Sequence, residues 1–249
     1  MFETSSASRC ALLLFVMGLC TCLASTAYGA TRYVDNSGSP TCNNSSSFGS
    51  EAQPWCTIEY GVSRLVAGDT LYVKNGSGNY NEAIDTLNIR GTAAQPITVK
   101  AYPGHAPLID RNSINSGTGW YIEGSSYLII DGFEIRESQN ALRIFDSDHI
   151  IIRNNNLHIS GNETLRVHAS ALSASTYITI TGNQIHDSGR FGNGECIYFG
   201  SAEDGANADY SNNSTISNNT IYDCVEEAIE IKRGSHDVTI DGNTVYNST

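Results

Sequence analysis

From Trp120 onward the chain alternates apolar and polar positions in short bursts, and the bursts recur. Five segments align: YLIIDGFEI, HIIIRNNNL, YITITGNQI, NSTISNNTI and DVTIDGNTV. Two-residue alternation reads as a strand with one face buried. Asp131, Arg153, Thr181, Ser217 and Asp241 hold the equivalent position, and two residues later stand Phe133, Asn155, Asn183, Asn219 and Asn243. The intervals are unequal, so the pattern predicts a solenoid of one rung per repeat with loops of variable length, not a strict-period array. A second strand is predicted after each of the first four segments: ALRIF, TLRVH, CIYFG and AIEIK. Alternation turns Leu142 and Ile144, Leu165 and Val167, Ile197 and Phe199, and Ile229 and Ile231 to one side as a stacked core. An Asn recurring at a bend can bond the Asn one rung away and satisfy turn backbone, so the asparagines are predicted to form a ladder.

Upstream, residues 30–110 read as an amino-terminal cap with the first coils, and 111–249 as the repeats. The cap is predicted to hold a strand at Arg32 to Val34, a polar loop, and a short helix with Ile58, Val62, Leu65 and Val66 on one face. Two strand-turn units follow, GDTLYVKNGSGNY and PITVKAYPGHAPLID. By the spacing of earlier rungs, the second strand after Asn243 would begin beyond Thr249. An open rung exposes strand edges, so the sequence is expected to be a fragment of a longer chain.

The first residues carry one positive charge ahead of an apolar run, then small residues at Ala27-Tyr28-Gly29. Residues 1–29 are predicted to be a signal peptide, the run being short for a membrane span. The mature protein is then secreted or periplasmic, with no membrane span. Removing Cys10, Cys20 and Cys22 leaves Cys42, Cys56, Cys196 and Cys224, an even count in an oxidising compartment. Proximity pairs Cys42 with Cys56, and the repeat places Cys196 and Cys224 at one corner of adjacent rungs. A tetrathiolate zinc site is the rival, though CxxC spacing is lacking. The chain has 249 residues and a formal net charge of −12, with only 16% charged residues. That balance argues against nucleic acid as partner, and an acidic polymer would need a bridging cation. A monomer is expected.

The repeats with their asparagines resemble a right-handed parallel β-helix of the pectin-lyase-like superfamily. The opening, through RYVDNSGS, QPWCTI, AGDTLYVKNGSGNY and QPITVKAYPG, is similar to the start of many secreted β-helix proteins. The resemblance implies an all-β fold: a single-stranded parallel β-helix whose cap contains a short α-helix. It implies no single activity, since the superfamily spans lyases, hydrolases, epimerases and adhesins.

On such a helix, residues alternating with the core stack outward about 4.8 Å apart. The middle outward column is Arg143, Arg166, Tyr198 and Glu230. The next is Phe145, His168, Gly200 and Lys232, and the one before is Ala141, Thr164, Cys196 and Ala228. A further column, Asn140, Glu163, Glu195 and Glu227, is expected to turn outward at the bend, with Glu226 joining the same groove. Carboxylates converging from adjacent rungs need a cation between them, and oxygen ligands favour Ca²⁺. The alternative is a solvated face on which Glu230 and Lys232 simply pair.

That groove predicts β-elimination on an acidic, uronate-containing polysaccharide. The chemistry requires a neutralised carboxylate, a base and an acid. Ca²⁺ on Glu195, Glu227 and Glu230 serves the first. Lys232 is the candidate base if neighbouring cations such as Arg233 depress its pKa, with His168 as the alternative base. Arg143 and Arg166 grip substrate carboxylates, and Tyr198 stacks on a sugar ring. EEAIEIKRGS also resembles the catalytic segment of the chondroitinase B and alginate lyase family. That resemblance implies calcium at Glu227 and Glu230 and a base at Lys232, but with altered spacing and no counterpart for the acid arginine. A glycoside hydrolase or epimerase, and a non-catalytic carbohydrate-binding or adhesin β-helix, remain the alternatives.

Overall fold

The computed structural model describes residues 29–203 and 205–248. The segment read as a leader lies outside the described residues, apart from Gly29. Within them the chain winds as a parallel β-helix with three sheets. One sheet has eight strands: Thr31–Val34, Thr70–Val73, Ile97–Ala101, Ser126–Asp131, Asp148–Arg153, Thr179–Thr181, Asn212–Ser217 and His236–Asp241. The second has six, from Leu108–Asp110 to Thr244–Tyr246. The third also has six: Ile84–Leu87, Thr118–Glu123, Asn140–Phe145, Leu165–His168, Ile197–Phe199 and Ile229–Ile231. Strands of the cap join the same sheets as the repeats, so the early strand-turn units already belong to the coil.

The register follows the aligned segments. Arg153 pairs with Asp131 and with Thr181, and Ser217 pairs with Thr181 and with Asp241. Every second residue of these strands points inward: Leu128, Ile130, Ile150, Ile152, Ile180 and Ile216 are buried in one continuous core. Burying an Ile side chain contributes about 1.5 to 3 kcal/mol, so each added rung is stabilised by its neighbours rather than by itself.

At the corner after the first sheet the chain must turn through a left-handed residue. Gly132, Asn154, Gly182, Asn218 and Gly242 all have positive φ there, and Gly and Asn are the residues that enter this region at low cost. The next position is the asparagine ladder. The Asn155 backbone N–H donates to Asn183 Oδ1 and that of Asn183 to Asn219 Oδ1, each at 2.9 Å. The side-chain amides continue the chain, Asn183 Nδ2 reaching Asn219 Oδ1 at 3.0 Å and Asn219 Nδ2 reaching Asn243 Oδ1 at 2.9 Å. A second ladder, which the sequence reading missed, runs along another corner. The backbone N–H of Ser125 donates to Ser147 Oγ, that of Ser147 to Ser175 Oγ, and that of Ser175 to Ser211 Oγ.

Two expectations need correction. The helix is one turn, Ile58–Val62, capped by the Thr57 side chain, which accepts the Tyr60 N–H. It ends before Leu65 and Val66: Leu65 is buried, but the turn closed by the Asp69 N–H on the Val66 carbonyl carries Val66 into solvent, 65% exposed. The column Ala141, Thr164 and Cys196 is buried and does not face the groove. Thr164 bonds Ser160, and Cys196 is tied to Cys224. Both expected disulfides, Cys42–Cys56 and Cys196–Cys224, are present, and that excludes the tetrathiolate site.

Candidate functional site

The outer face of the third sheet carries the charged row. Its middle column runs Asp85, Tyr121, Arg143, Arg166, Tyr198, Glu230, each paired in register with the next. The sequence reading began this column at Arg143 and so missed Tyr121 above it. Parallel in-register pairing puts like positions one rung apart, about 4.8 Å. Two guanidiniums, two phenols and two carboxylates therefore stand in file along the helix axis.

The bend before each strand turns Glu195 toward this face, as expected. It is fixed from both sides: the Thr164 N–H bonds the Glu195 carbonyl and the Cys196 N–H bonds the Glu227 carbonyl, and the disulfide closes the corner behind. Glu195 is only 6% exposed, and its side chain meets Glu230 and Lys232. Burial, and then the hydrogen bond and charge of Glu230, push its carboxyl up to about 7. Glu230 is held below its ordinary value by that same hydrogen bond and by Lys232. The two carboxyls act as one unit sharing a proton near neutrality.

Lys232 pairs with Glu230 and lies 3.8 Å from Glu195 Oε1. Burial works to lower its pKa, but the Glu230 hydrogen bond and the charges of Tyr198, Glu230 and Glu195 outweigh it, and the net direction is up. The expected depression of Lys232 by neighbouring cations is therefore not what this arrangement produces: the carboxylates hold the ammonium form. Lys232 Nζ also lies over the Tyr198 ring at 4.6 Å, and Arg166 Cζ lies over it at 4.9 Å. With Arg166 one rung before and Lys232 on the rung after, both ring faces are covered. The ring cannot stack on a sugar as expected. Tyr198 itself is buried, only 8% exposed.

Arg166 reaches Glu163 at 3.6 Å, and its Nε is buried with no hydrogen-bond acceptor among the described residues. Arg143 lies over the Tyr121 ring at 5.6 Å and donates its Nε–H to His168 Nε2 at 2.7 Å. Glu226 is drawn out of the groove, accepting the Gly194 N–H at 3.0 Å. The structure thus brings Glu195, Glu227, Glu230, Lys232, Tyr198 and Arg166 together. His168 and Arg143 form a second group farther along the same face.

Glu195, Glu227 and Glu230 each offer a carboxylate oxygen, all within 4.8 Å of one another. A set of oxygen donors from carboxylates alone suits a hard cation such as Ca²⁺. The raised pKa of Glu195 points the same way, because it marks a place where uncompensated negative charge is costly. The donor set fits.

An alginate lyase from Paenibacillus sp. str. FPU-7 superposes with a TM-score of 0.68 at 21% identity, over 76% of this chain and 63% of that one. Pectate lyase Pel9A gives 0.60 at 13% identity, over 82% of this chain and 51% of that one. A GH136 lacto-N-biosidase from Eubacterium ramulus gives 0.58 at 15%, over 78% and 41%. The chain thus spans less than two thirds of the length of each, and at these identities the likeness shows a common fold that serves lyase and hydrolase alike. No curated protein matches it by sequence. The family model for the Pel9A-like right-handed β-helix region matches residues 38–227, and the chain belongs to that family of right-handed parallel β-helices.

Proposed function

We propose that the protein is a secreted lyase that cleaves a uronate-containing polysaccharide by β-elimination, with Lys232 as base. The observation that carries this reading is the file Arg143, Arg166, Tyr198 with Lys232 against the Tyr198 ring, all on one face beside three convergent carboxylates. The arginines suit an acidic chain laid along the axis, since a guanidinium matches a carboxylate with two parallel hydrogen bonds. The orphaned Arg166 N–H supports this, being a buried donor with an acceptor still to find. Two disulfides support an oxidising compartment, and no helix among the described residues is long and apolar enough to cross a membrane.

Lys232, as the free amine, takes the C5 proton. The electron pair forms the C4–C5 double bond, the C4–O bond breaks, and the leaving oxygen receives a proton. Tyr198 is assigned as the donor, because its ring lies directly against Lys232. Two cations over the ring stabilise the phenolate left behind, opposing the burial that raises its pKa. Glu195, Glu227 and Glu230 would hold Ca²⁺, which supplies neutralisation of the substrate carboxylate. Once their charge is committed there, the interactions that keep Lys232 protonated weaken. The hydrolase reading is less well supported, because Glu195 and Glu230 are hydrogen-bonded to each other, whereas carboxyls that flank a glycosidic bond stand about 5 Å or more apart.

The test is ultraviolet absorbance of unsaturated ends on pectate, alginate, and chondroitin or dermatan sulfate, with calcium or with chelator. The proposal expects absorbance on one of these, dependent on calcium and lost in Lys232→Ala. New reducing ends without absorbance would overturn it.

A further inference from the structure

His168 is placed where a catalytic base could stand, yet its chemistry is already committed. Its ring is buried, 7% exposed, and tilted against Phe145 with centroids 4.6 Å apart. Its Nε2 lone pair accepts the Arg143 Nε–H at 2.7 Å, so the ring proton sits on Nδ1 and the imidazole is neutral. Protonating it would add a cation against Arg143 and Arg166. Burial and those two charges accordingly hold its pKa down at about 3.

Arg143 is the other half of the arrangement. It is half-buried, and among the described residues no carboxylate lies within ion-pair distance of it. Burial, and then the charge of Arg166 one rung away, push its pKa down. A guanidinium has one inner N–H and four outer ones. With the inner one spent on His168, the pair at the two terminal nitrogens is left oriented for a planar two-oxygen acceptor. A desolvated, unpaired charge of this kind is costly unless an anion completes it.

We infer that His168 is a positioning residue that locks Arg143 as a carboxylate subsite three rungs, about 14 Å, from Lys232, where it reads a uronate remote from the bond that breaks. This rests on the lyase reading of the same face. It has a consequence that a local structural role would not have. The subsite is reached only by a chain long enough to span those rungs, so its loss weakens long oligomers and spares short ones.

The experiment measures calorimetric binding of oligogalacturonates and oligoalginates of increasing length to Lys232→Ala, alone and combined with Arg143→Ala, His168→Ala or His168→Gln. Melting curves for each variant accompany the titrations. The expected result is that the long oligomers of whichever series binds lose about tenfold in affinity in the Arg143→Ala and His168→Ala combinations, while the shortest binders are unchanged. His168→Gln, whose amide oxygen can accept the same Nε–H, retains most of the affinity. Loss that is equal at every length, or no loss in Arg143→Ala, would overturn the subsite while leaving the lyase reading intact. Failure of Lys232→Ala to bind any oligomer of either series, together with no unsaturated ends from the wild type, would overturn both.

Discussion

Replacing Glu195 by Gln should stabilise the cation-free protein at alkaline pH and leave it unchanged near pH 4.5. Glu195 is buried against Glu230, and its folded pKa is about 7 against an ordinary 4.5. Between those values the native state holds a proton that the unfolded chain has released. Native stability therefore falls as pH rises through this window, and the full penalty is present above about pH 7. Taken alone the shift would be worth about 3 kcal/mol. The proton is shared with Glu230, whose own pKa moves the other way, and water reaches the groove, so about 1 to 2 kcal/mol is the realistic figure. For a chain of this size that is about 3 to 6 °C in melting temperature. Gln keeps a donor toward Glu230 and so imitates the protonated acid at every pH. The assay is differential scanning calorimetry in chelator from pH 4.5 to 8.5. The two melting curves should coincide at the acid end, diverge as pH rises from about 5, and stay fully separated above about pH 7, the variant being higher. Adding calcium at pH 8 should raise the parent, by about 2.7 kcal/mol at a hundred times its dissociation constant, and should raise the variant much less. Curves that stay parallel over the whole range would refute the argument that Glu195 is held protonated by burial and Glu230.

Three other outcomes follow from the geometry. Asn183→Ala removes an acceptor for the Asn155 N–H and amide and a donor to Ile152 and Asn219; leaving those buried groups unsatisfied should cost about 3 kcal/mol or more, read as a lower urea midpoint. Removing the Cys196–Cys224 bridge, which joins residues 28 apart, in the double Cys→Ser variant should cost about 3 kcal/mol, and reductant should lower the parent's melting temperature by more than the variant's, in which only Cys42–Cys56 is left to reduce. Tyr198→Phe keeps the ring between Arg166 and Lys232 but removes the proton. It should lower kcat by about a hundredfold or more with little change in KM or melting temperature, and unchanged kcat would remove Tyr198 from the chemistry.

The helical repeat was legible because its two demands, inward apolar alternation and an amide at the corner, recur at the same relative position in each rung. The serine ladder was legible in principle. Ser125, Ser147, Ser175 and Ser211 are separated by 22, 28 and 36 residues, the same steps as from Phe133 through Asn155 and Asn183 to Asn219. Serine is common in turns for local reasons of its own, so its recurrence there carries little signal. The outward file from Arg143 to Glu230 follows from alternation alone, and so does the approach of Glu195 to Glu230 once the bend is allowed for. What alternation cannot convey is who pairs with whom. Whether Arg143 turns to a carboxylate or to His168, whether both faces of Tyr198 are covered, and whether Lys232 is raised or depressed depend on side-chain reach across rungs. The inward turn of Ala141, Thr164 and Cys196 was missed for a related reason, since a bend breaks the two-residue count just where it was being extended.

The central claim is that the bond is broken by elimination and not by water. Cleavage of the responsive polymer in ¹⁸O-labelled water, followed by mass spectrometry of the products, tests it most directly. The account predicts products that carry no solvent oxygen, with masses summing to that of the parent oligomer and an unsaturated uronate at each new non-reducing end. Products heavier by one water per cleavage and carrying the label would contradict it and identify a hydrolase.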